Sequence, residues 1–177
     1  MKNIALLAIL LTICVNSQAF SQEKMSRKEK KEKIKQLKED EALYFDAFIE
    51  KGEYKFVANT LVSAQNLKRG NIRLNRPYGL VVTPTNIKCH LPVYGNDNAY
   101  SRPTLLSDLE FYLHQGEFTI EKKRHEKGGW TITIEVPKQL NINAYTFVIT
   151  TSATGQSSTL IVSPQFSTPA TFRGDIE

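Results

Sequence analysis

The side chains best suited to bind a ligand form a polar run between residues 94 and 102. The run offers phenol, amide, carboxylate and guanidinium groups, and its members are Tyr94, Asn96, Asp97, Asn98, Tyr100 and Arg102. It occupies a long connection, 95–105, and long polar connections are where binding residues concentrate. We therefore expect a ligand or partner site at this loop and the adjacent strand end. Calcium binding is the weaker interpretation, because the twelve-residue calcium loop with its terminal glutamate is missing.

Residues with catalytic potential are scattered along the chain. His90, His114 and His125 lack the spacing that brings two imidazoles onto one metal ion, and His90 falls on the outward phase of its strand. Cys89 falls on the inward phase and is interpreted as a small buried apolar residue. No nucleophile elbow, zinc motif, phosphate loop or dinucleotide fingerprint occurs in the sequence. We therefore predict no catalytic residue, no metal ligand and no cofactor, with a hydrolase assembled from several strands as an alternative.

Residues 1–19 have the order of a secretory signal peptide. Lys2 precedes an apolar run from Ile4 to Val15, and Ser17-Gln18-Ala19 supplies the small-residue spacing of a cleavage site. The run is shorter than the roughly 20 residues that a membrane-spanning helix needs. We predict cleavage after Ala19 and a periplasmic or secreted protein. Acylation of Cys14 to give a lipoprotein is the weaker alternative, because the residue before it is a bulky isoleucine.

The net charge of +5 is concentrated in one segment. Between Gln22 and Lys38 there are eight basic and three acidic residues, and the rest of the chain is neutral overall. A neutral domain is poorly suited to holding a phosphate backbone, so no nucleic-acid partner is expected. The segment is either a solvated helix or a contact for anionic membrane lipids or an envelope partner. The residues assigned to that contact are Lys24, Arg27, Lys28, Lys30, Lys31 and Lys33.

Two hydrophobic periodicities divide the chain after residue 19. Residues 20–52 form a predicted basic helical arm, and residues 53–177 alternate with the period of two that is typical of antiparallel strands. A stripe with helical spacing runs along the arm and is expected to pack on the domain that follows; its members are Ile34, Leu37, Phe45 and Phe48. Gly52 is the expected helix stop.

Turn-forming strings separate the alternating runs of the second region. They are Pro84-Thr85-Asn86, Glu126-Lys127-Gly128-Gly129 and Ala153-Thr154-Gly155. Short links of this kind predict hairpins, so that neighbours in sequence become neighbours in the sheet. We predict a mainly β fold: an antiparallel closed barrel or two-layer sandwich of about 8 strands, preceded by one N-terminal α-helix.

Three further strings carry a family resemblance: Leu91-Pro92-Val93-Tyr94-Gly95, Gly155 followed by Leu160 to Val162, and Phe172-Arg173-Gly174-Asp175-Ile176. With the aromatic entry at Phe56 and Ala58, they resemble domain-of-unknown-function family 4251, a family of uncharacterised exported bacterial proteins. The resemblance implies export and a compact β-rich fold, and it implies no activity. Residues 96–105 contain no glycine where such proteins tend to have a glycine-rich loop, so a role of that loop in relatives does not transfer directly.

These features favour a non-catalytic protein of the bacterial cell envelope whose β domain binds a small ligand or an envelope protein. A closed scaffold of about eight strands has room for one small ligand. The alternative is a structural or interaction protein attached to envelope surfaces through the lysine-rich helix.

Overall fold

The computed structural model describes residues 26–62, 71–95, 104–139, 142–165 and 169–177. The chain divides into two units, Met1–Leu37 and Lys38–Glu177. The described part of the first unit is helical and exposed from residue 27 to residue 37. Helix α1 (Arg27–Lys51) begins with a capping box at Ser26. Ser26 Oγ accepts a hydrogen bond from Lys28 N at 3.2 Å, and Glu29 Oε2 accepts one from Ser26 N at 2.8 Å, so two otherwise unpaired amides are bonded.

Helix α1 ends at a glycine. Gly52 has φ of 82°, and its amide donates to Ile49 O at 3.1 Å, so the backbone leaves the helix at the predicted stop. Within the second unit, Phe45 and Ile49 are buried and Phe48 packs against the core. Ile34 and Leu37 are 54 % and 53 % exposed, so the expectation that the whole stripe is buried is wrong for its first half.

In the described part of the chain, nine antiparallel strands follow α1 and form one sheet, in the order β4-β3-β2-β1-β9-β8-β7-β6-β5. The strands are β1 (Tyr54–Val62), β2 (Ile72–Val82), β3 (Asn86–Gly95), β4 (Thr104–His114), β5 (Thr119–Arg124), β6 (Trp130–Val136), β7 (Tyr145–Thr151), β8 (Ser158–Pro164) and β9 (Ala170–Ile176). The first and last strands therefore pair at the centre of the sheet, from Phe56 opposite Ile176 to Val62 opposite Thr171.

The sheet is curled into a half-barrel, and its concave face holds the core. Phe111 on β4 lies 6.1 Å from Tyr145 and 5.9 Å from Phe147 on β7, measured between ring centroids, although many strands separate them in the sheet. Alternate residues of the strands supply the fully buried side chains, among them Phe56, Leu80, Ile87, Ile134, Phe147 and Phe172.

The predicted mainly β, antiparallel class with one preceding helix is correct, and the described strands form a curled half-barrel sheet in place of the predicted closed barrel or two-layer sandwich of about 8 strands. Among the described strands, β4 and β5 are consecutive in sequence yet lie at opposite edges of the sheet. The short link between them, residues 115–118, therefore does not make a hairpin, and the sheet does not close by pairing these two strands. Curling alone lets one face bury itself, so a second sheet is not needed to cover the core.

Candidate functional site

The C-terminal half of α1 is fixed to the sheet by a small polar cluster. Asp46 Oδ1 accepts a hydrogen bond from Trp130 Nε1 at 2.8 Å, and Asp46 Oδ2 accepts one from Arg124 Nε at 2.9 Å. Arg124 is the main reason that the pKa of Asp46 lies below its ordinary value. Lys122 Nζ donates to Ile49 O at 2.9 Å, and burial lowers the pKa of this lysine. These contacts are structural: they place the helix over the ends of β5 and β6.

A surface pocket of about 400 Å³ lies at the opposite ends of strands β5 to β8; we call it the end pocket. One row of four polar side chains lines it, one from each strand. The β pairing places them side by side in the order Thr119, Glu135, Thr146 and Ser163. Directly opposed residues have Cβ atoms about 5 Å apart, so three hydroxyls and one carboxylate follow a continuous line across the sheet.

The remaining lining of the end pocket is partly apolar and partly fixed by hydrogen bonds. Tyr145 and Phe118 contribute half-buried aromatic rings, and burial raises the pKa of Tyr145. Gln165, at the rim, donates its backbone N–H to Ala144 O at 3.1 Å. The rim is therefore tied to the sheet, which gives the pocket a defined shape before any ligand enters.

A second polar cluster lies where β2 and β3 separate. The backbone pairing of these strands ends at Gly79 and His90. Beside that point, Asp108 Oδ1 accepts a hydrogen bond from the hydroxyl of buried Tyr78 at 3.1 Å, and Asp108 Oδ2 lies 3.4 Å from His90 Nε2. Arg76 adds a long ion pair to the same carboxylate at 4.0 Å. Asp108 thus links two strands through side chains where their backbones no longer pair.

A third feature is an open groove of about 580 Å³ within the second unit, which we call the helix groove. It is bordered by α1, by the turn between β7 and β8, and by the end of β9. Its charged and apolar lining is formed by Asp40, Glu41, Tyr44, Phe45, Phe48, Ile176 and Glu177. The ring of Tyr44 is 77 % exposed, so a large aromatic surface faces solvent here.

Most residues of the predicted loop site fall outside the described part of the chain. Asn96, Asp97, Asn98, Tyr100 and Arg102 are in this group, and for Tyr94 only the backbone is described, opposite Leu105 of β4. The loop joins β3 and β4, the two strands that carry His90 and Asp108. Its ligand-binding role stays a prediction.

The predicted basic contact residues lie mostly on α1. Lys24 is outside the described residues, and the others are exposed on the helix: Arg27, Lys28, Lys30, Lys31 and Lys33. Over the described residues, no helix combines the length and the apolar character needed to cross a bilayer.

The three histidines have three different kinds of partner. His90 contacts a carboxylate, the ring nitrogen Nε2 of His125 lies 2.7 Å from Thr131 Oγ1, and the ring of His114 lies 3.1 Å from the amide oxygen of Asn86. A hydrolytic triad needs one histidine between a hydroxyl and a carboxylate, which none of these hydrogen bonds provides. The thiol of Cys89 is buried, and burial raises its pKa, so it is a poor nucleophile. Within the described ranges, no cluster of three or more potential metal ligands occurs.

Sequence reasoning missed the end pocket and both polar clusters. Each residue of the polar row is an ordinary outward-facing residue of its own strand, and only the register of four strands shows that the four are neighbours. A pattern of single polar residues on the outer face is common in half-exposed sheets and gives no signal by itself.

Comparison with known proteins gives a family and a fold. The family described as "Domain of unknown function (DUF4251)" matches residues 36–176. No curated protein matches the chain. The crystal structure of a DUF4251 family protein from Bacteroides eggerthii DSM 20697, at 1.95 Å resolution, has a similar fold with a TM-score of 0.58. The likeness covers 79 % of this chain and 87 % of that chain at 11 % sequence identity, so it concerns the fold alone.

Proposed function

This chain belongs to the DUF4251 family, whose members share a domain of unknown function, and we propose that it is a non-catalytic binding protein of the bacterial cell envelope. Its ligand is a small molecule that binds in the end pocket. The observation that carries the proposal is the row of four polar side chains, in register across four strands, along one pocket.

The size and lining of the end pocket support a small ligand. Its volume of about 400 Å³ falls in the range of roughly 300–1,000 Å³ that is usual for small-molecule sites. Such sites combine apolar surface with a few placed polar groups, and here Tyr145 and Phe118 accompany the polar row. Because the row lies on strands and not on a loop, its spacing is rigid, which reduces the entropy lost on binding.

The chemistry of the row favours a neutral, hydroxyl-rich ligand. Thr119, Thr146 and Ser163 each offer a hydroxyl that can donate and accept, and Glu135 offers a carboxylate that accepts. Among the described lining residues Glu135 is the only charged side chain, so a strongly charged ligand would lack the partners that desolvation of its charge requires. A saccharide or polyol, with several hydroxyls along an apolar ring, matches this arrangement.

The location in the envelope is supported by the amino-terminal sequence. Lys2, the apolar run from Ile4 to Val15 and the small residues before Ala19 together have the form of a cleaved export signal. Removal of residues 1–19 would leave Cys89 as the only cysteine, so the exported domain would depend on its core and not on an internal disulfide. Cell fractionation with mass analysis of the amino terminus tests this point, and an intact Met1 in the cytoplasmic fraction would contradict it.

Binding can be tested with one matched pair of threonine variants. Thr146 lines the pocket, and Thr133 is a similarly half-buried threonine on the outer face of β6 that is not part of its lining. Against a panel of neutral mono- and disaccharides, we expect backbone amide shifts at Thr146 and Ser163 in NMR titrations. Thr146→Val should weaken binding about tenfold through loss of one hydrogen bond, and Thr133→Val should leave it unchanged. Equal effects of the two variants, or shifts that avoid β5 to β8, would refute the proposal.

A further inference from the structure

The helix groove has acidic groups without cationic partners. Asp40 and Glu41 are exposed, and within the described part of the chain neither forms an ion pair. Glu177 pairs only loosely, with its carboxylate 3.7 Å from Lys55 Nζ and both side chains well exposed. The groove therefore presents net negative charge to whatever enters it.

The apolar lining of the groove makes the expected partner amphipathic. Tyr44 is 77 % exposed, and Phe48 and Ile176 are partly buried. Exposed aromatic surface next to carboxylates suits a cation with an apolar body, because aromatic faces also attract ammonium and guanidinium groups. A simple metal ion or a purely apolar ligand would use only half of this surface.

The same chain contains a segment with that chemistry. Helical residues 27–37 carry six basic and two acidic side chains. Two large apolar side chains, Ile34 and Leu37, are 54 % and 53 % exposed and lie three residues apart, on neighbouring positions of one helix surface. The segment is therefore an amphipathic cation of about 16 Å length, at 1.5 Å per residue.

The helix dipole gives a separate reason for this segment to have an acidic partner. The amino-terminal end of a helix carries partial positive charge, so lysines in its first turns are unfavourable and nearby anions are stabilising. Arg27, Lys28, Lys30 and Lys31 all lie in the first two turns of α1, with Glu29 as the single acid of the first turn. Carboxylates supplied by another molecule would offset both the side-chain charges and the dipole.

We propose that the helix groove of one copy binds the lysine-rich helical segment Arg27–Leu37 of a second copy, so that the protein self-associates. Ile34 and Leu37 contact Tyr44 and Phe48 of the other copy, and lysines of the segment pair with Asp40 and Glu41. The helix groove and the end pocket share no lining residue, so self-association and ligand binding can be tested independently. One helical segment buries less surface than a standard interface, and the association is therefore weak and sensitive to salt.

Sedimentation of the purified protein over about 5–500 µM tests the proposal, since weak helix contacts have dissociation constants in the micromolar range. The average mass should rise with concentration at low salt and fall when salt is added. The reversal Asp40→Lys with Glu41→Lys should abolish association, and so should Lys30→Glu with Lys33→Glu. Glu121→Lys with Glu126→Lys, which reverses two exposed acids elsewhere, is the control and should associate like the wild type.

Mixing the two reversal variants provides the decisive result. The glutamates introduced into the segment of one variant then face the lysines introduced into the groove of the other, so association should return in the mixture although each variant alone is monomeric. Recovery on mixing also demonstrates that both variants are folded. A monomer at all concentrations, or association that neither reversal changes, would overturn the proposal. Vesicles containing anionic phosphatidylglycerol serve as the competing partner: binding to them by a strictly monomeric protein would assign the segment to the membrane instead.

Discussion

Replacing Asp46 should weaken the attachment of α1 to the sheet. Its Oδ1 accepts from Trp130 Nε1 at 2.8 Å, and Trp130 is only 6 % exposed. Asp46→Ala leaves the buried indole donor without a partner, which costs about 1–3 kcal/mol. The lost contact with Arg124 adds little, because that guanidinium is mostly solvated. We expect the free energy of unfolding to fall by about 2 kcal/mol.

Asp46→Asn is the matched variant, because it keeps an oxygen for the indole and removes only the charge. Its loss should be less than half of the alanine loss. Trp130 is the only tryptophan of the chain, so its fluorescence during urea unfolding reports directly on this site. Equal losses for the two variants, or an alanine loss below about 0.5 kcal/mol, would refute the assigned role of the indole bond.

The pH dependence of the unfolding free energy, compared between the wild type and Asp46→Asn, tests the same carboxylate in a second way. The bond from Arg124 is the main cause that holds the pKa of Asp46 below its ordinary value of 3.8 in the folded protein. A depressed carboxyl pKa contributes stability that is complete above the ordinary pKa and is lost as the pH falls through the folded value. The advantage of the wild type over Asp46→Asn should therefore be constant above about pH 5 and shrink below about pH 4. An advantage that persists unchanged at pH 3 would contradict this account.

Three other substitutions or modifications have defined outcomes. Gly155 has φ of 71°, and a Cβ there would collide with the ring of Phe45, so Gly155→Ala should cost about 2–4 kcal/mol in urea unfolding. Gly116→Ala, at φ of 94° in open space, should cost only about 1–2 kcal/mol, and equal losses would exclude the collision. Cys89 is buried with a raised pKa, so an aromatic disulfide reagent should label it only as fast as the protein unfolds; immediate labelling would contradict its burial. The hydroxyl of Tyr54 is buried without a hydrogen-bond partner among the described residues, so Tyr54→Phe should raise the unfolding free energy by about 1 kcal/mol, measured in the same urea assay, and a loss would argue for an unseen partner.

Local sequence patterns were sufficient to predict the elements of this fold. The alternation through Trp130, Ile132 and Ile134 marks a strand because successive side chains of a strand point to opposite faces, and all three are buried in the structure. Gly52 and Gly155 stand where the backbone needs positive φ, so the helix stop and one hairpin turn were also readable. Both signals act over a few residues, which is why sequence alone contains them.

Such local patterns could not show that β4 and β5 do not pair. The short link at 115–118 looks like a hairpin turn, yet β4 and β5 end at opposite edges of the sheet. Strand alternation identifies which face of a strand is buried and leaves its partner open, so a barrel, a sandwich and a curled sheet share one pattern. Closure was therefore the part of the fold prediction that failed.

The polar contacts could not be predicted from the sequence for a related reason. Asp46 and Trp130 are separated by 84 positions, and Arg124 belongs to a basic string that solubility explains equally well. Thr119 and Ser163 become members of one row only through three successive strand pairings. Long-range placement of this kind depends on the complete register of the sheet.

The central pairing of β1 with β9 also sets the order in which the molecule can fold. Hairpins such as β3–β4 and β7–β8 need only nearby residues, whereas Val57 meets Asp175 across more than a hundred positions. Contacts so distant in sequence slow folding, because the chain loses loop entropy before it gains them. The two halves of the sheet therefore stay unjoined until residues 170–176 have been synthesised. A nascent chain in this condition has no completed core, because the strand that joins the two halves is the last to emerge.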